Sequence, residues 1–408
     1  MGDILFENEI AFVLIVKNES PYIEEWLEYH YRIGVDKFYI YNNDSDDRSE
    51  LLKILTPWIE AGVVDFEDAP GQYRQMPVYN DAIERHRFDC RYMGFIDTDE
   101  FVYIKTGQTL SEFLHEYFDG RDIIAGFCIN WRMFGTSGRQ KYEPLDVIER
   151  FTRRNKDDST EHHLVKSIVN PRRILYMPNP HNAQYMIYSE GCNENLIYVR
   201  DAKNPHNTCN KIQINHYFTK SIEEYALKHA RGRADCGLGR GAIKDFSDEY
   251  NDTDDFGLRD LWRQIKSQPL PQPKDRSQVR ALERVSTMLQ PFLKNDLPIE
   301  IFQNQLVKFL TCFITIRRCN LEPNEKSILL NSILELAIKS MKSKTLITDL
   351  TLLMLTLPHI IASKIPAARE ILNEFKSYLP SMILEYQMEL ECPAEFHARH
   401  MLAILDSM

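Results

Sequence analysis

The sequence predicts an α/β domain with a mainly parallel sheet and flanking helices, followed by an all-α helical bundle. Strand and helix patterns alternate through the first 267 residues, which favours βαβ units. All 16 glycines lie at or before Gly257, whereas apolar residues recur three and four apart from residue 276 onward. Between these regions, alternate prolines in 268–275 exclude both helix and central strand. We therefore expect an α/β domain over 1–267, a proline-rich linker over 268–275 and a helical domain over 276–408.

The individual elements of the first domain carry separate signals. Apolar runs at 10–16, 37–41 and 63–66 predict strands, and amphipathic patterns at 23–30, 49–59 and 79–86 predict the helices that follow them. A further apolar run ends at Ile96. Later strands are expected at 123–129, 164–169 and 211–217, with an aromatic, glycine-containing loop over 130–138 and a helix over 221–231.

The composition is that of a globular protein with room for two domains. The chain has 408 residues, of which 43% are hydrophobic and 27% charged. A formal net charge of -11 argues against nucleic acid or an anionic membrane as the principal partner. The 8 cysteines include no Cys-x-x-Cys pair, so we interpret them as reduced thiols of a cytosolic protein.

An acidic motif follows the apolar run that ends at Ile96. Asp97, Asp99 and Glu100 cannot all be buried there without a cation or hydrogen-bond donors. Asp97 and Asp99 face the same way if the chain stays extended, and two hard oxygen ligands suit Mg²⁺ or Mn²⁺. The alternative is a strand followed by a solvated acidic turn.

Five ordered motifs together resemble glycosyltransferase family 92, and the related family-2-like transferases share parts of the pattern. The motifs are the strand followed by Lys17-Asn18-Glu19, and the segments 41–45, 95–101, 134–138 and 215–221. The resemblance covers roughly residues 8 to 245. It implies a GT-A fold with a Rossmann-like sheet, a nucleotide sugar donor, a divalent cation and an inverting mechanism. Galactose transfer from UDP-galactose is the activity best associated with that family.

The resemblance also implies a metal and diphosphate site. Asp99 would bind the cation directly, Asp97 would contact the ribose or reach the cation through water, and His216 would complete the metal shell. Lys220, Arg231 and Arg233 would neutralise the diphosphate. The alternatives are a core histidine at His216 and a solvated helix end for the basic residues.

The nucleotide and the acceptor would contact loops at the strand ends. The expected nucleotide-binding residues are Lys17, Asn18, Glu19, Asn43, Asp44, Ser45 and Arg74, and the alternative for 42–47 is an Asx-rich turn without a ligand. Asp44 could accept a hydrogen bond from uracil N3. The expected acceptor-binding residues are Trp131, Phe134, Ser137, Gly138 and His181, although aromatic side chains are more often part of a core.

An inverting transferase needs a general base for the acceptor hydroxyl. Glu149 matches a family position, but it could instead pair with Arg150 or Arg153. Asp146 and Glu190 stay open as alternatives.

These observations leave three functional hypotheses. The first is a metal-dependent inverting transferase that uses Mn²⁺ or Mg²⁺ and a UDP-sugar to extend a surface polysaccharide or glycolipid. We expect it in the cytoplasm, with peripheral contact at the inner face of a membrane, because no leader or spanning segment is seen. The second is a metal-dependent hydrolase of nucleotide sugars. The third is a non-catalytic interaction protein with the helical domain as its working surface. In each case the helical domain over 276–408 could form a homo-oligomer, hold a partner or dock at a membrane.

Overall fold

Strands and helices alternate along the first part of the chain, as the sequence predicts. The computed structural model describes residues 6, 8–87, 89–121, 123–186, 189–232 and 249–273. The first elements are β1 (Asn8–Val16), α1 (Ile23–Arg32), β2 (Lys37–Asn42), α2 (Arg48–Glu60), β3 (Val64–Asp68), α3 (Gln75–His86) and β4 (Cys90–Phe95). The helical domain expected over 276–408 and the diphosphate candidate Arg233 lie outside the described residues.

The later elements are shorter and less regular. They are β5 (Glu100–Ile104), α4 (Leu110–Phe118), β6 (Ile124–Met133), α5 (Val147–Arg150), β7 (Arg153–Arg154), β8 (Val165–Val169), β9 (Ile174–Tyr176), β10 (Gln184–Tyr185), β11 (Glu190–Cys192), β12 (Ile212–His216), α6 (Ile222–Ala230), β13 (Thr253–Asp254) and α7 (Gly257–Lys266). Short 3-10 helices span Thr160–His163 and Glu249–Asn251. The loop expected over 130–138 begins later than predicted, because β6 continues through Met133.

The main sheet is nine-stranded and mixed. Its strand order is β3-β2-β1-β4-β8-β6-β12-β5, and β11 pairs with β6. The neighbours among β3, β2, β1 and β4 are parallel, whereas β8 is antiparallel to both β4 and β6, and β5 is antiparallel to β12. The predicted α/β class is confirmed, with antiparallel strands in the second part of the sheet.

Hydrophobic cores cover both faces of this sheet. Ile10, Phe12 and Leu14 of β1 belong to one core, and the alternating residues Ala11 and Val13 belong to another. This alternation is expected because successive side chains of a strand point to opposite faces. Residues of α1, α2 and α4 join the first core and residues of α3 join the second.

The topology brings the candidate site residues to one edge of the sheet. The carboxyl ends of parallel β1, β2 and β4 meet there, as Val16 lies opposite Asn42 and Val13 opposite Phe95. His216, the last residue of β12, lies opposite Glu100, the first residue of β5. The backbone N–H of Tyr217 donates to the carbonyl of Asp99 at 2.7 Å, which fixes His216 beside the acidic motif.

Two further expectations can be compared with the described residues. Cys90, Cys128, Cys192 and Cys209 are buried free thiols, and the other four cysteines lie outside the described residues. No helix in the described ranges has both the length and the apolar character needed to cross a membrane.

Candidate nucleotide and metal site

The acidic motif forms a tight turn between β4 and β5. The N–H of Glu100 donates to the carbonyl of Asp97 at 3.0 Å. The indole N–H of the buried Trp26 on α1 donates to the carbonyls of Asp97 and Glu100, both at 2.9 Å. The turn is therefore held by the core as well as by its own backbone.

A buried lysine joins the first and last carboxylates of this turn. Lys166 of β8 has no exposed side-chain surface, and its Nζ lies 2.7 Å from Asp97 Oδ2 and 3.3 Å from Glu100 Oε2. Burial disfavours the charged amine, but the two carboxylates together raise the pKa of Lys166. Burial raises the pKa of Glu100 well above its usual range, which Lys166 opposes and Asp97 reinforces.

Asp97 has protein partners on both carboxylate oxygens. Its Oδ1 accepts hydrogen bonds from Gln75 Nε2 at 3.1 Å and Tyr79 Oη at 3.0 Å, and its Oδ2 accepts from Lys166. The side chain is nevertheless 31% exposed and faces the edge of the sheet. These three hydrogen bonds orient the carboxylate and leave it acceptor capacity at the exposed side, which is compatible with the expected contact to a ribose hydroxyl or a metal-bound water.

Asp99 and His216 lie together beyond this turn. His216 Nε2 is 3.4 Å from Asp99 Oδ2, and both side chains are about nine-tenths buried. Among the described residues, no group of three or more His, Cys, Asp or Glu side chains could hold a metal. A carboxylate and an imidazole still fit Mn²⁺ or Mg²⁺ when substrate phosphates complete the shell, because such ions are usually bound by few protein ligands.

The protonation states of this pair suit cation binding. Burial would raise the pKa of Asp99, but Lys228 and His216 lower it well below its usual range, so the carboxylate is ionised. Burial lowers the pKa of His216, which Asp99 opposes, so the neutral imidazole that ligates metals is favoured. His216 Nδ1 is buried and has no hydrogen-bond partner in the described structure.

Basic side chains of the segment from β12 through α6 surround the site and bind carboxylates. Lys228 contacts Asp99 and donates to the carbonyl of Phe218 at 2.9 Å. Arg231 donates to Glu19 and to the carbonyl of Lys17. Lys220 Nζ is 3.9 Å from Glu19 Oε2 and 3.5 Å from the centre of the Tyr22 ring. The expected diphosphate residues Lys220 and Arg231 are thus brought to the site.

The loops after β1 and β2 are linked to each other. Asn18 N donates to Ser45 Oγ at 3.0 Å, and its side chain exchanges two hydrogen bonds with Asp46. The buried Asn43 donates to the carbonyls of Ala69 and Gly71, so it supports the loop after β3. Asp44 is exposed, has a φ of 51°, and accepts a hydrogen bond from Gly71 N at 2.8 Å.

Arg74 lies at the N-cap of α3, directly before the Asp97 partner Gln75. Its Nε is buried without a hydrogen-bond partner in the described structure. The predicted nucleotide residues therefore share the edge of the sheet with Asp97, but Asn43 and Ser45 already have structural roles there.

The expected acceptor residues separate into two groups. Trp131 lies between His181 and His216, with ring centres 5.1 and 4.2 Å away, so it is brought to the site. The expected acceptor contact of Phe134 is not available, because its ring is fully buried and packs against Tyr217 with ring centres 4.9 Å apart. His181 donates from Nδ1 to the carbonyl of Val165 at 3.0 Å, and burial lowers its pKa to about 4.

Ser137 has a structural role in the loop after β6. Its Oγ accepts hydrogen bonds from Thr152 N and Arg153 N, both at 3.0 Å, and its N–H donates to the side chain of Asn251. Gly138 has a φ of 78° and an exposed, open surface. A close backbone approach occurs at Gly135, where an added Cβ would clash with the carbonyl of Tyr250, so the glycine there serves protein packing.

Glu149 is paired rather than free. Its Oε1 accepts a hydrogen bond from Arg263 Nε of α7 at 2.7 Å, so Glu149 forms an ion pair, but not with the expected Arg150 or Arg153. Asp146 accepts from Trp262 Nε1 and Lys266, and Glu190 pairs with Arg200. The assignment of a general base to Glu149 has no support from this geometry and stays a prediction.

A comparison with known proteins identifies the family. The sequence profile of glycosyltransferase family 92 matches residues 15–232, which is more than half of the 408 residues. The chain belongs to glycosyltransferase family 92. The resemblance drawn from the five motifs is thereby confirmed.

The relatives of this family 92 chain are distant and longer. A glycosyltransferase family 92 protein of Oryza sativa subsp. japonica is 26% identical over 273 residues, covering 64% of this chain and 40% of the relative. A galactan beta-1,4-galactosyltransferase of Arabidopsis thaliana is 34% identical over 112 residues, covering 24% of this chain and 22% of the relative. The chain spans less than half the length of these relatives. The crystal structure of S. aureus TarS 1-349 covers 85% of this chain and 90% of its own at 12% identity, and its TM-score of 0.26 is too low to support an argument.

Sequence reasoning missed several residues that build this family 92 site. The sequence does contain a signal for Lys166, because a lysine within an otherwise apolar strand needs a buried partner. Lys228 lies in the basic segment 228–233, but the sequence does not show that it reaches Asp99. Gln75, Tyr79 and Trp26 reach the acidic turn from helices, and no local pattern shows where a helical side chain will point across the fold.

Proposed function

We propose that this protein is a metal-dependent inverting glycosyltransferase that moves a hexose, galactose from UDP-galactose, to a glycan hydroxyl. The observation that carries the proposal is the 3.4 Å approach of His216 to Asp99 at the edge where the parallel strands end, with Lys220, Lys228 and Arg231 around it. Ligands of open α/β sheets bind at that edge.

Each part of the site would have a separate role in binding. Asp99 and His216 would hold Mn²⁺ or Mg²⁺, which would supply positive charge to the departing diphosphate. Lys220 and Arg231 would bind the diphosphate, and Asp97 would accept a hydrogen bond from the ribose. The loops at 17–19 and 43–45, with Arg74, would contact the nucleoside, and Trp131 would border the acceptor.

The choice of donor and acceptor rests on family membership. The galactan beta-1,4-galactosyltransferase of Arabidopsis thaliana matches 24% of this chain, which supports galactose as the sugar and a β-1,4-galactan as a first acceptor to test. A GT-A fold for 1–267, a cytoplasmic location, membrane contact and oligomerisation through 276–408 are further predictions of the proposal.

A product assay distinguishes transfer from hydrolysis. The purified protein is incubated with UDP-galactose, Mn²⁺ and β-1,4-galacto-oligosaccharides, and both the extended oligosaccharide and free galactose are measured. We expect extension to exceed release, and Asp99→Asn to abolish extension. Asp158→Asn is the control, because Asp158 is an exposed carboxylate whose pair with Lys156 lies on the surface.

Equal release of galactose with and without acceptor would support the hydrolase instead. Full extension by the Asp99→Asn variant would contradict the role given to the acidic turn.

A further inference from the structure

Lys228 contacts Asp99, the carboxylate proposed to bind the cation. Its Nζ contacts Asp99 Oδ2, the same oxygen that lies 3.4 Å from His216 Nε2. The ammonium also donates to the carbonyl of Phe218 at 2.9 Å and lies 4.7 Å from the centre of the Phe218 ring. Only about a tenth of the Lys228 side chain is exposed. This is a packed and directed contact, unlike a flexible surface ion pair.

Two cations cannot share that oxygen at no cost. A divalent ion that binds Asp99 and His216 would lie next to the Lys228 ammonium. Two positive charges on the same carboxylate repel each other strongly in a partly buried site. The ammonium must therefore leave Asp99 when the metal enters. The ammonium keeps its hydrogen bond to the Phe218 carbonyl but loses the counter-charge of Asp99, and a largely buried charge is stabilised by a new anion.

A nucleoside diphosphate supplies that anion. Glu19 already pairs with Arg231 and Lys220, so the carboxylate nearest to these basic residues is in use. We propose that Lys228 competes with the divalent cation for Asp99, and that the cation binds tightly only together with a diphosphate that draws the ammonium away. This inference rests on the proposed function and adds a mechanism that couples metal binding to donor binding.

The coupling has a direct chemical consequence. The metal displaces the Lys228 ammonium from Asp99, and the diphosphate offers this ammonium another anion. Each ligand must therefore increase the affinity of the protein for the other. Metal bound without a donor would be weak, and Lys228 would move from a carboxylate to the diphosphate of the arriving nucleotide.

The test is a titration of Mn²⁺ into the full chain. Binding is measured by calorimetry and by the electron paramagnetic resonance signal of free Mn²⁺. Without nucleotide, we expect Lys228→Met to bind Mn²⁺ at least about tenfold more tightly than the parent, because a charge-assisted hydrogen bond no longer competes. With saturating UDP, this gain in Mn²⁺ affinity of the variant over the parent should become smaller or reverse. Lys228→Gln provides a second neutral variant if the methionine variant does not fold.

Two controls separate charge from position. Lys228→Arg keeps the charge and should bind Mn²⁺ as weakly as the parent. Lys53→Met removes an exposed charge on α2, where Lys53 pairs only loosely with Glu50 at 3.9 Å, and should leave Mn²⁺ affinity unchanged.

The outcomes distinguish this inference from the proposed function. If both neutral variants bind Mn²⁺ within about twofold of the parent, while Asp99→Asn loses the UDP-dependent binding, the competition is wrong and the metal site stands. If Asp99→Asn binds Mn²⁺ and UDP as the parent does, the metal site is wrong and the competition falls with it.

Discussion

Lys166 shows how a single side chain shapes the candidate site. It carries a charge at a position without solvent exposure and lies between Asp97 and Glu100. Its contacts fix Asp97 from the core side, while Gln75 and Tyr79 fix the other oxygen. The Asp97 carboxylate therefore has a defined orientation at the edge of the sheet. Asp99 lies in the same hydrogen-bonded turn.

Replacing this lysine should be costly. Lys166→Met leaves two carboxylates without their buried counter-charge, and removing one partner of a buried ion pair typically costs about 3–5 kcal/mol. We expect the free energy of unfolding, measured in urea at pH 7, to fall by roughly that amount. Adding Glu100→Gln to the variant should restore part of the loss, because an amide cannot ionise there, whereas the desolvated Glu100 carboxyl lies beside Asp97 without a cation. A double variant as unstable as the single one would contradict this account.

His30 predicts an acid-dependent loss of stability. The fully buried ring contacts the carbonyl of Trp26 through Nδ1 and accepts from Val102 N at Nε2, and burial lowers its pKa to about 3. The unfolded chain binds this proton near pH 6.5. Stability should therefore fall as the pH drops from about 6.5 toward 3, with a contribution of up to about 1.4 kcal/mol per pH unit.

Urea unfolding at several pH values tests this directly. His30→Phe should be less stable at pH 7, because both hydrogen bonds are lost, but its stability should fall less steeply below pH 6.5. Parallel pH profiles for the two proteins would show that His30 is not the group that titrates.

At the scale of elements, α6 links the core to the site. Ser221 and Glu224 form a capping box at its start. Glu224 also binds the buried Arg150 through two hydrogen bonds of 2.7 and 2.9 Å and accepts from Tyr22. This helix carries Lys228, and Arg231 lies at its C-cap. The contacts that anchor α6 therefore set the positions of the Lys228 and Arg231 side chains.

The two capping boxes of the described chain allow a matched comparison. Ser221→Ala and Thr109→Ala each remove an N-cap side chain, of α6 and α4 respectively, and each should cost about 1 kcal/mol of stability. Only Ser221→Ala should also weaken UDP binding in the presence of Mn²⁺, measured by calorimetry. Equal UDP affinities of the two variants would mean that the start of α6 does not position its basic side chains.

Elements with a strong local signal could be predicted from sequence. The alternation from β1 to β4 and the helices between them have clear periodicity, and they are where predicted. The structure departs from expectation where long-range packing decides. Trp131 was placed in a loop but lies in β6, because both edges of that strand are paired. The Glu149 to Arg263 ion pair joins residues 114 apart in sequence, and no local pattern shows it.

At the scale of the whole molecule, the sheet order explains the site. Parallel β1, β2 and β4 bring their following loops to one edge, and antiparallel β5 and β12 return His216 to that edge beside Asp99. The carboxylates could be found from sequence, because polar residues followed an apolar strand. Their partners Lys166 and Lys228 could not be assigned, because their approach depends on strand order and helix placement.

The central claim is that Asp99 belongs to a cation-dependent site for a nucleoside diphosphate. Calorimetric titration of UDP, with and without Mn²⁺, into the parent and a folded Asp99→Ala variant tests it most directly. We expect UDP to bind the parent, Mn²⁺ to strengthen that binding, and the variant to lose the Mn²⁺ dependence. UDP binding that is equal in the two proteins and unaffected by Mn²⁺ would contradict it.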